Sequence, residues 1–366
     1  MTLKILFVNH TSSLTGAPIS CFHLMTMLGK DVKAVFASRE EGPLVDKLNT
    51  SHIRTYIVEK KGVLGLNYIA EFMKILSSEK IDLLHLNTLT PFCKYAAIAG
   101  FIKRVPIVWV IRENPLISRS RRLKFWLKLL ASKIVFVDND TREKLMPGKN
   151  ENVFTIYNGV DTGKFKPLKS DYLQKKFSFN PNHKLIGYIG SITKRKGVEY
   201  LVRAMPAIKK ELLNVKLIII GGYKKDDEEY FLKIKSLIED LSLQKDVFFT
   251  GMLPDVHEAL NSLDLLVLLS LEERCSRTLL EGLACGKAIV ATRVGGNPEI
   301  VRDGKNGLLI EPENESQFAD SVLKLLKDDS LRQKMGERGR SLAEDNFNIS
   351  KNIEKMRKLY IGLMQR

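Results

Sequence analysis

The strongest constraint on this chain is a regular alternation. Short runs rich in Val, Ile, Leu and Phe recur along its length, separated by stretches with a helical spacing of apolar residues. Runs at Lys4–Val8, Val32–Ala37, Ile53–Val58, Leu83–Leu86, Ile107–Ile111, Ile134–Val137 and Val153–Ile156 read as strands in the first half. Those at Lys184–Ile189, Lys216–Ile220, Val247–Phe249, Leu265–Leu268, Ala288–Ala291 and Gly307–Ile310 do so in the second. Helical patterns lie between them, among them Ile19–Leu28, Leu66–Ser77, Val198–Leu212 and Thr278–Ala284. A strand followed by a helix and another strand demands a crossover back to the same edge, and so a parallel sheet. The fold class is therefore α/β. Each half holds enough elements for a doubly wound sheet of its own, and 366 residues exceed what one core usually gathers.

The seam falls in the Gly-, Lys- and Ser-containing stretch 158–180. The expected units are a first domain over 1–167, a second over 168–345, and a last helix within 346–366 that packs back on the first. Ligands of such sheets bind beyond the carboxyl ends of the strands. Two sheets facing each other would put a site in the cleft between them.

Composition narrows the partners. No apolar run approaches the roughly 20 residues that span a bilayer, and the apolar start Leu3–Val8 is too short for a secretory segment, so a cytoplasmic setting is expected. Cys21, Cys93, Cys275 and Cys285 stand far apart, without the spacing of a metal site, and read as core residues of a chain in a reducing compartment. The formal charge is +16, and residues 1–167 carry 25 Lys and Arg against 14 Asp and Glu. Nucleic acid, an anionic membrane and phosphate-bearing ligands all attract such a surface. No nucleic-acid-binding motif accompanies it, so nucleic acid is not an expected partner. The stretch Ser118–Ser132 sets Arg119, Arg121, Arg122, Lys124 and Lys128 among Phe125, Trp126, Leu127, Leu129 and Leu130. A basic helix with Trp and Leu can lie peripherally on the inner face of a membrane; an ordinary helix covering the sheet is the competing reading.

The most informative stretch runs from Ser270 to Pro312. Glu273 sits on a loop after a strand, and Glu281 falls in the second turn of a helix capped by Ser276 and closed by Gly286. Free backbone N–H groups at Arg277, Thr278 and Leu279, with the helix dipole, suit a diphosphate. Carboxylates accept hydrogen bonds from vicinal hydroxyls, so Glu281 can hold a ribose and Glu273 a sugar. An isolated Glu-x7-Glu is more often a solvated loop and a helical Glu. Here Gly282, Gly286, Gly295 and Gly296 provide tight turns around it.

The string from Glu273 to Thr292, followed by Gly295-Gly296, Glu299 and Gly304 to Gly307, resembles the C-terminal signature of retaining glycosyltransferase family 4. The resemblance implies the GT-B fold, two Rossmann-like domains facing across a cleft. It also implies sugar transfer with retention from a nucleotide-sugar donor, UDP- or GDP-linked, to a glycan or lipid-linked acceptor. Envelope or exopolysaccharide synthesis is the implied setting, and no metal or other cofactor is obligatory. Gly190, Ser191, Arg195 and Lys196 lie in a segment similar to the family's phosphate loop, where Lys196 matches the lysine that reaches the diphosphate. Gly16-Ala17 resembles the glycine loop of the first domain, and Asn158–Asp161 the interdomain segment. There are departures. Ser191 stands where the family often has Arg, and Arg195 can supply that charge. Arg274-Cys275-Ser276 replaces a Gly-Phe-Gly-like turn. Arg112-Glu113-Asn114 stands where many members carry a His, so Arg112 is read as a phosphate or acceptor contact and Glu113 as an acceptor contact. Asp138-Asn139-Asp140 has a metal-like look but reads as a capping turn. The competing functions are a nucleotide-sugar epimerase or a phosphorylase on the same fold, or a non-catalytic partner of another transferase.

Overall fold

The computed structural model describes residues 2–14, 16–59, 65, 67–112 and 121–365, and only the backbone of Arg121 and Arg122. The chain forms two compact units, Met1–Gly159 with Ser350–Arg366, and Val160–Ile349.

In the first unit, β1 (Leu3–Val8), β2 (Val32–Ser38), β3 (Arg54–Ile57), β4 (Leu83–Leu86), β5 (Ile107–Ile111), β6 (Lys133–Phe136) and β7 (Val153–Thr155) form a sheet of order β3-β2-β1-β4-β5-β6-β7. In the second, β8 (Lys184–Ile189), β9 (Val215–Ile220), β10 (Val247–Gly251), β11 (Leu265–Leu268), β12 (Ile289–Thr292) and β13 (Gly307–Ile310) form a sheet of order β10-β9-β8-β11-β12-β13. Every pairing among these strands is parallel. The central strands β4, β5, β11 and β12 are buried at every residue, which is why they read as unbroken apolar runs rather than as alternations. In both sheets the strand order reverses beside the first strand, between β1 and β4 and between β8 and β11. That reversal opens a crevice at the carboxyl ends of those strands.

The chain passes from the first unit to the second at Gly159/Val160, before Pro167. Arg340 explains the position. Its guanidinium donates to the carbonyls of Thr162 (3.0 Å), Phe165 (2.7 Å) and Ala284 (2.7 Å), which fastens residues 162–165 to the second unit. Arg340 lies in the helix Asp329–Asn346, a segment whose sequence reads as merely charged. Its buried residues are Met335, Gly336, Gly339, Leu342 and Ala343, so small residues thin the bulky apolar stripe that announces a helix. A side chain at Gly336 would place its Cβ 2.0 Å from the carbonyl oxygen of Gly286, so the small residues are what let this helix approach.

The last helix, Ile349–Met364, belongs to the first unit from Ser350 onward. Tyr360 is fully buried and its hydroxyl lies 2.7 Å from Nδ1 of His85 on β4. Asn352 donates to the carbonyl of Tyr157 (3.2 Å), and Arg357 pairs with Asp31. Burial drives the His85 pKa down to about 3, so the imidazole stays neutral, and its Nε2 finds no hydrogen-bond partner among the described residues. Tyr360→Phe leaves the other ring nitrogen unsatisfied as well. It is expected to cost about 1–3 kcal/mol in urea unfolding, against about 0.5 kcal/mol or less for Tyr223→Phe at an exposed ring.

Candidate active site

The site is built at the carboxyl ends of β8 and β11. After Ile189 the chain runs through Gly190–Thr193 into a short 3-10 turn, Lys194–Lys196, then Gly197 and the helix Val198–Glu211. Gly197 has φ +65°, and a Cβ there would fall 2.1 Å from the carbonyl oxygen of Leu269, just past β11. The two loops thus press against each other. The N–H of Leu271 donates to the carbonyl of Arg195 (2.8 Å), and the Arg195 guanidinium donates to the carbonyl of Glu272 (2.9 Å).

This stitching brings Lys196 onto Glu273. The Nζ of Lys196 pairs with Glu273 Oε1, and Ser270 Oγ donates to the same oxygen at 2.9 Å. The side chains of both charged partners are largely buried, 14% and 9% exposed, whereas Arg195, 4.0 Å from that oxygen, is 52% exposed. Glu273 is fixed from behind as well. Gly295 has φ +48°, and a Cβ there would lie 1.9 Å from the Glu273 carbonyl oxygen. Thr292 Oγ1 donates to the Ser270 carbonyl (2.5 Å), and Asn297 Nδ2 to the Thr292 carbonyl (3.0 Å). Arg274 donates to the Glu273 carbonyl (3.1 Å) and pairs with Glu272 (2.8 Å), so the departure Arg274-Cys275-Ser276 braces the loop.

The helix Arg277–Ala284 begins beside this pair. Thr278 Oγ1 donates to the carbonyl of Ile189 at 3.1 Å, tying its first turn to the end of β8. The first N–H groups of a helix have no acceptor within it. Ser276 Oγ takes the N–H of Leu279 (3.5 Å), which corrects the expectation that Leu279 is an open donor and leaves Arg277 and Thr278. Glu281, one turn on, meets Arg277 at 3.3 Å. Burial pushes its carboxyl above the usual range, and the Arg277 and Lys164 charges oppose the rise. Glu273 and Glu281 are therefore held by different cations.

The other residues expected at the site take varied places. The N–H of Gly190 is taken by the carbonyl of Ile220 (2.9 Å), so Gly190 shapes the turn rather than offering a donor. Ser191 is exposed, and its carbonyl accepts from the Tyr188 hydroxyl (2.7 Å). Gly16 opens the helix Gly16–Met27 beyond β1, and a Cβ added there would meet nothing within 4 Å among the described residues. Arg112 follows β5 and donates to the side-chain oxygens of Asn87 (3.0 Å) and Asn158 (2.5 Å). Glu113 lies outside the described residues. Asp138 caps the helix Asn139–Leu145 by accepting from the N–H of Thr141 (2.6 Å). All four cysteines are buried and none forms a disulfide among the described residues. Ser270, Thr292 and Asn297 do not stand out in the sequence. A polar residue ending an apolar strand run, as at Ser270 and Thr292, is the signal that could have found the first two.

Residues 170–342 match the family model for glycosyl transferases group 1, and residues 20–164 match that for glycosyltransferase family 4. The chain belongs to the family 4 glycosyltransferases. It is 27% identical over 324 residues to N-acetyl-alpha-D-glucosaminyl L-malate synthase of Bacillus anthracis, covering 86% of this chain and 83% of that one. It is 25% identical over 348 residues to UDP-Gal:alpha-D-GlcNAc-diphosphoundecaprenol alpha-1,3-galactosyltransferase of Escherichia coli, covering 89% and 88%. Among solved structures, Anabaena HepE in complex with UDP superposes with a TM-score of 0.88 at 22% identity, over 98% of this chain and 100% of that one. This glycosyltransferase thus has the GT-B fold.

The environment of Glu281 generates a test. A carboxyl whose folded pKa is raised binds more protons in the native state between its ordinary value, 4.5, and the raised one. Stability therefore falls as pH rises through that window. Glu281→Gln removes the penalty: it should be more stable than the parent at neutral pH, with the gap closing below the ordinary glutamate range. Thermal melting of both proteins across pH reads this directly.

Proposed function

We propose that this glycosyltransferase takes the sugar from a UDP- or GDP-linked donor and transfers it, with retention, to a hydroxyl of a glycan or lipid-linked acceptor. The observation that carries the reading is the Lys196–Glu273 pair at the strand-order reversal of the second sheet. A carboxylate is a stand-in for the anion that such a lysine can hold. When a diphosphate enters, Lys196 and the open N–H groups of Arg277 and Thr278 supply its charge complement, with Arg195 at the rim. Glu273 is then released to accept hydrogen bonds from the donor sugar, and Glu281 from the ribose. Gly16 leaves room for close approach in the first unit, where Arg112 and Glu113 serve the acceptor or a phosphate.

In the reaction the bond between the anomeric carbon and the diphosphate oxygen breaks while charge builds on the leaving group. Preorganised cations and N–H groups stabilise that charge where it develops, and the sugar takes on oxocarbenium character. The acceptor oxygen bonds to the anomeric carbon on the face the diphosphate leaves. Its proton passes to a diphosphate oxygen, so Glu273 positions and does not attack. The names of the relatives support the donor class: one uses UDP-galactose, and HepE structures hold UDP and UDP-glucose.

Lys196→Ala is expected to lower kcat/KM about 100-fold or more, by analogy with loss of one preorganised stabilising group, while Ser191→Ala stays within a few-fold. Nucleotide release from a panel of UDP- and GDP-sugars measures both. Lys196→Ala also strips Glu273 of its partner, so a Lys196→Ala/Glu273→Gln double variant with parental melting separates lost chemistry from lost fold. Full turnover in the folded double variant would refute the assignment.

A further inference from the structure

On the first unit, one surface remains without a role. The helix Arg121–Leu130 turns Leu127 and Leu130 into the core, and Trp126 packs against that core beneath the ammonium of Lys94, 4.4 Å from the ring centroid. Trp126 is thus an inward residue. Phe125 and Leu129, one turn apart on the same side of the helix, are 60% and 45% exposed. Phe101 and Ile102, at the end of the helix Pro91–Ile102, are each 52% exposed. Phe101, Ile102, Arg104 and Leu129 line one surface cavity of about 790 Å³, so the two helices contribute to a common patch. Lys103, Arg104 and Lys128 beside these residues are exposed.

We propose that Phe101, Ile102, Phe125 and Leu129, with Lys103, Arg104 and Lys128 around them, form a docking surface for an anionic lipid bilayer. Apolar side chains that enter the headgroup boundary, ringed by cations that remain in it, are what such a surface requires. The charge pattern favours lipid over a protein partner. Between Asp82 and Asp138 the chain carries ten Lys and Arg and a single acidic residue, Glu113. Protein interfaces are depleted in Lys and use both signs of charge to fix register, whereas a delocalised negative surface needs one sign only. The patch lies at the amino ends of β5 and β6, because Ile107 and Ser132 also line the cavity. Gly16 and Arg112 sit past the carboxyl ends of β1 and β5, the opposite edge of the same sheet. Docking therefore leaves that edge uncovered. The inference assigns a partner to the transferase proposed above, but its test contains no nucleotide sugar, so failure of one reading is visible apart from failure of the other.

The test is co-sedimentation of the full chain with vesicles rich in phosphatidylglycerol and with vesicles of phosphatidylcholine alone. Binding is expected to the first only, and to fall as salt rises. Phe101→Ser/Ile102→Ser and Lys103→Ala/Arg104→Ala should each weaken it roughly tenfold or more, with melting unchanged. A chain that stays in solution with phosphatidylglycerol at low salt overturns the proposal. So does parental binding by both variants, which would move the contact elsewhere. A dimer detected by light scattering and abolished by Phe101→Ser/Ile102→Ser, without vesicle binding, would overturn it in favour of an interface between copies.

Discussion

The second unit is organised around one interaction, the ion pair of Lys196 and Glu273. Two largely buried charges repay little of their desolvation cost, so such a pair is weak support for stability by itself. It is nevertheless held from several directions: Ser270 donates to the carboxylate, Arg274 donates to the Glu273 carbonyl, and Gly197 and Gly295 allow approaches that no side chain would tolerate. Glycines at positive φ and a braced carboxylate are costs a fold carries where geometry matters more than stability. The pair holds the Lys196 ammonium in place between the loops that follow β8 and β11.

The same loops show how topology produces the site. Lys196 and Glu273 stand far apart in sequence but follow β8 and β11, neighbours in the sheet only because the strand order reverses there. Burial of Glu281 beside Arg277 adds a carboxyl with a raised pKa at the start of the next helix. That buried carboxyl would sit more cheaply in water, so it lowers the stability of the fold.

Much of this was legible in the sequence, for identifiable reasons. Parallel strands buried on both faces are unbroken apolar runs, so β4, β5, β8 and β11 could be placed nearly to the residue. The Ser276 cap and the Gly286 stop delimited the helix that carries Glu281. The helix Asp329–Asn346 was illegible because Gly336, Gly339 and Ala343 share its buried face with Met335 and Leu342, which leaves too thin an apolar stripe to read. The contacts of Arg340 with residues 162–165 are long-range and leave no local trace, so they are not legible in the sequence. At the site, spacing pointed to Lys196 and Glu273 as separate ligands. It did not reveal that they pair with each other, or that Ser276 occupies the N–H of Leu279 and Ile220 that of Gly190, since backbone partners are fixed only by tertiary packing.

The central claim is that the anion displacing Glu273 from Lys196 is the diphosphate of a sugar nucleotide. Hydrogen exchange of backbone amides with and without UDP addresses it most directly. Bound UDP should slow exchange in Gly190–Gly197 and in Ser270–Leu280. Unchanged exchange in both segments at saturating nucleotide, or slowing confined to the first unit, would contradict it.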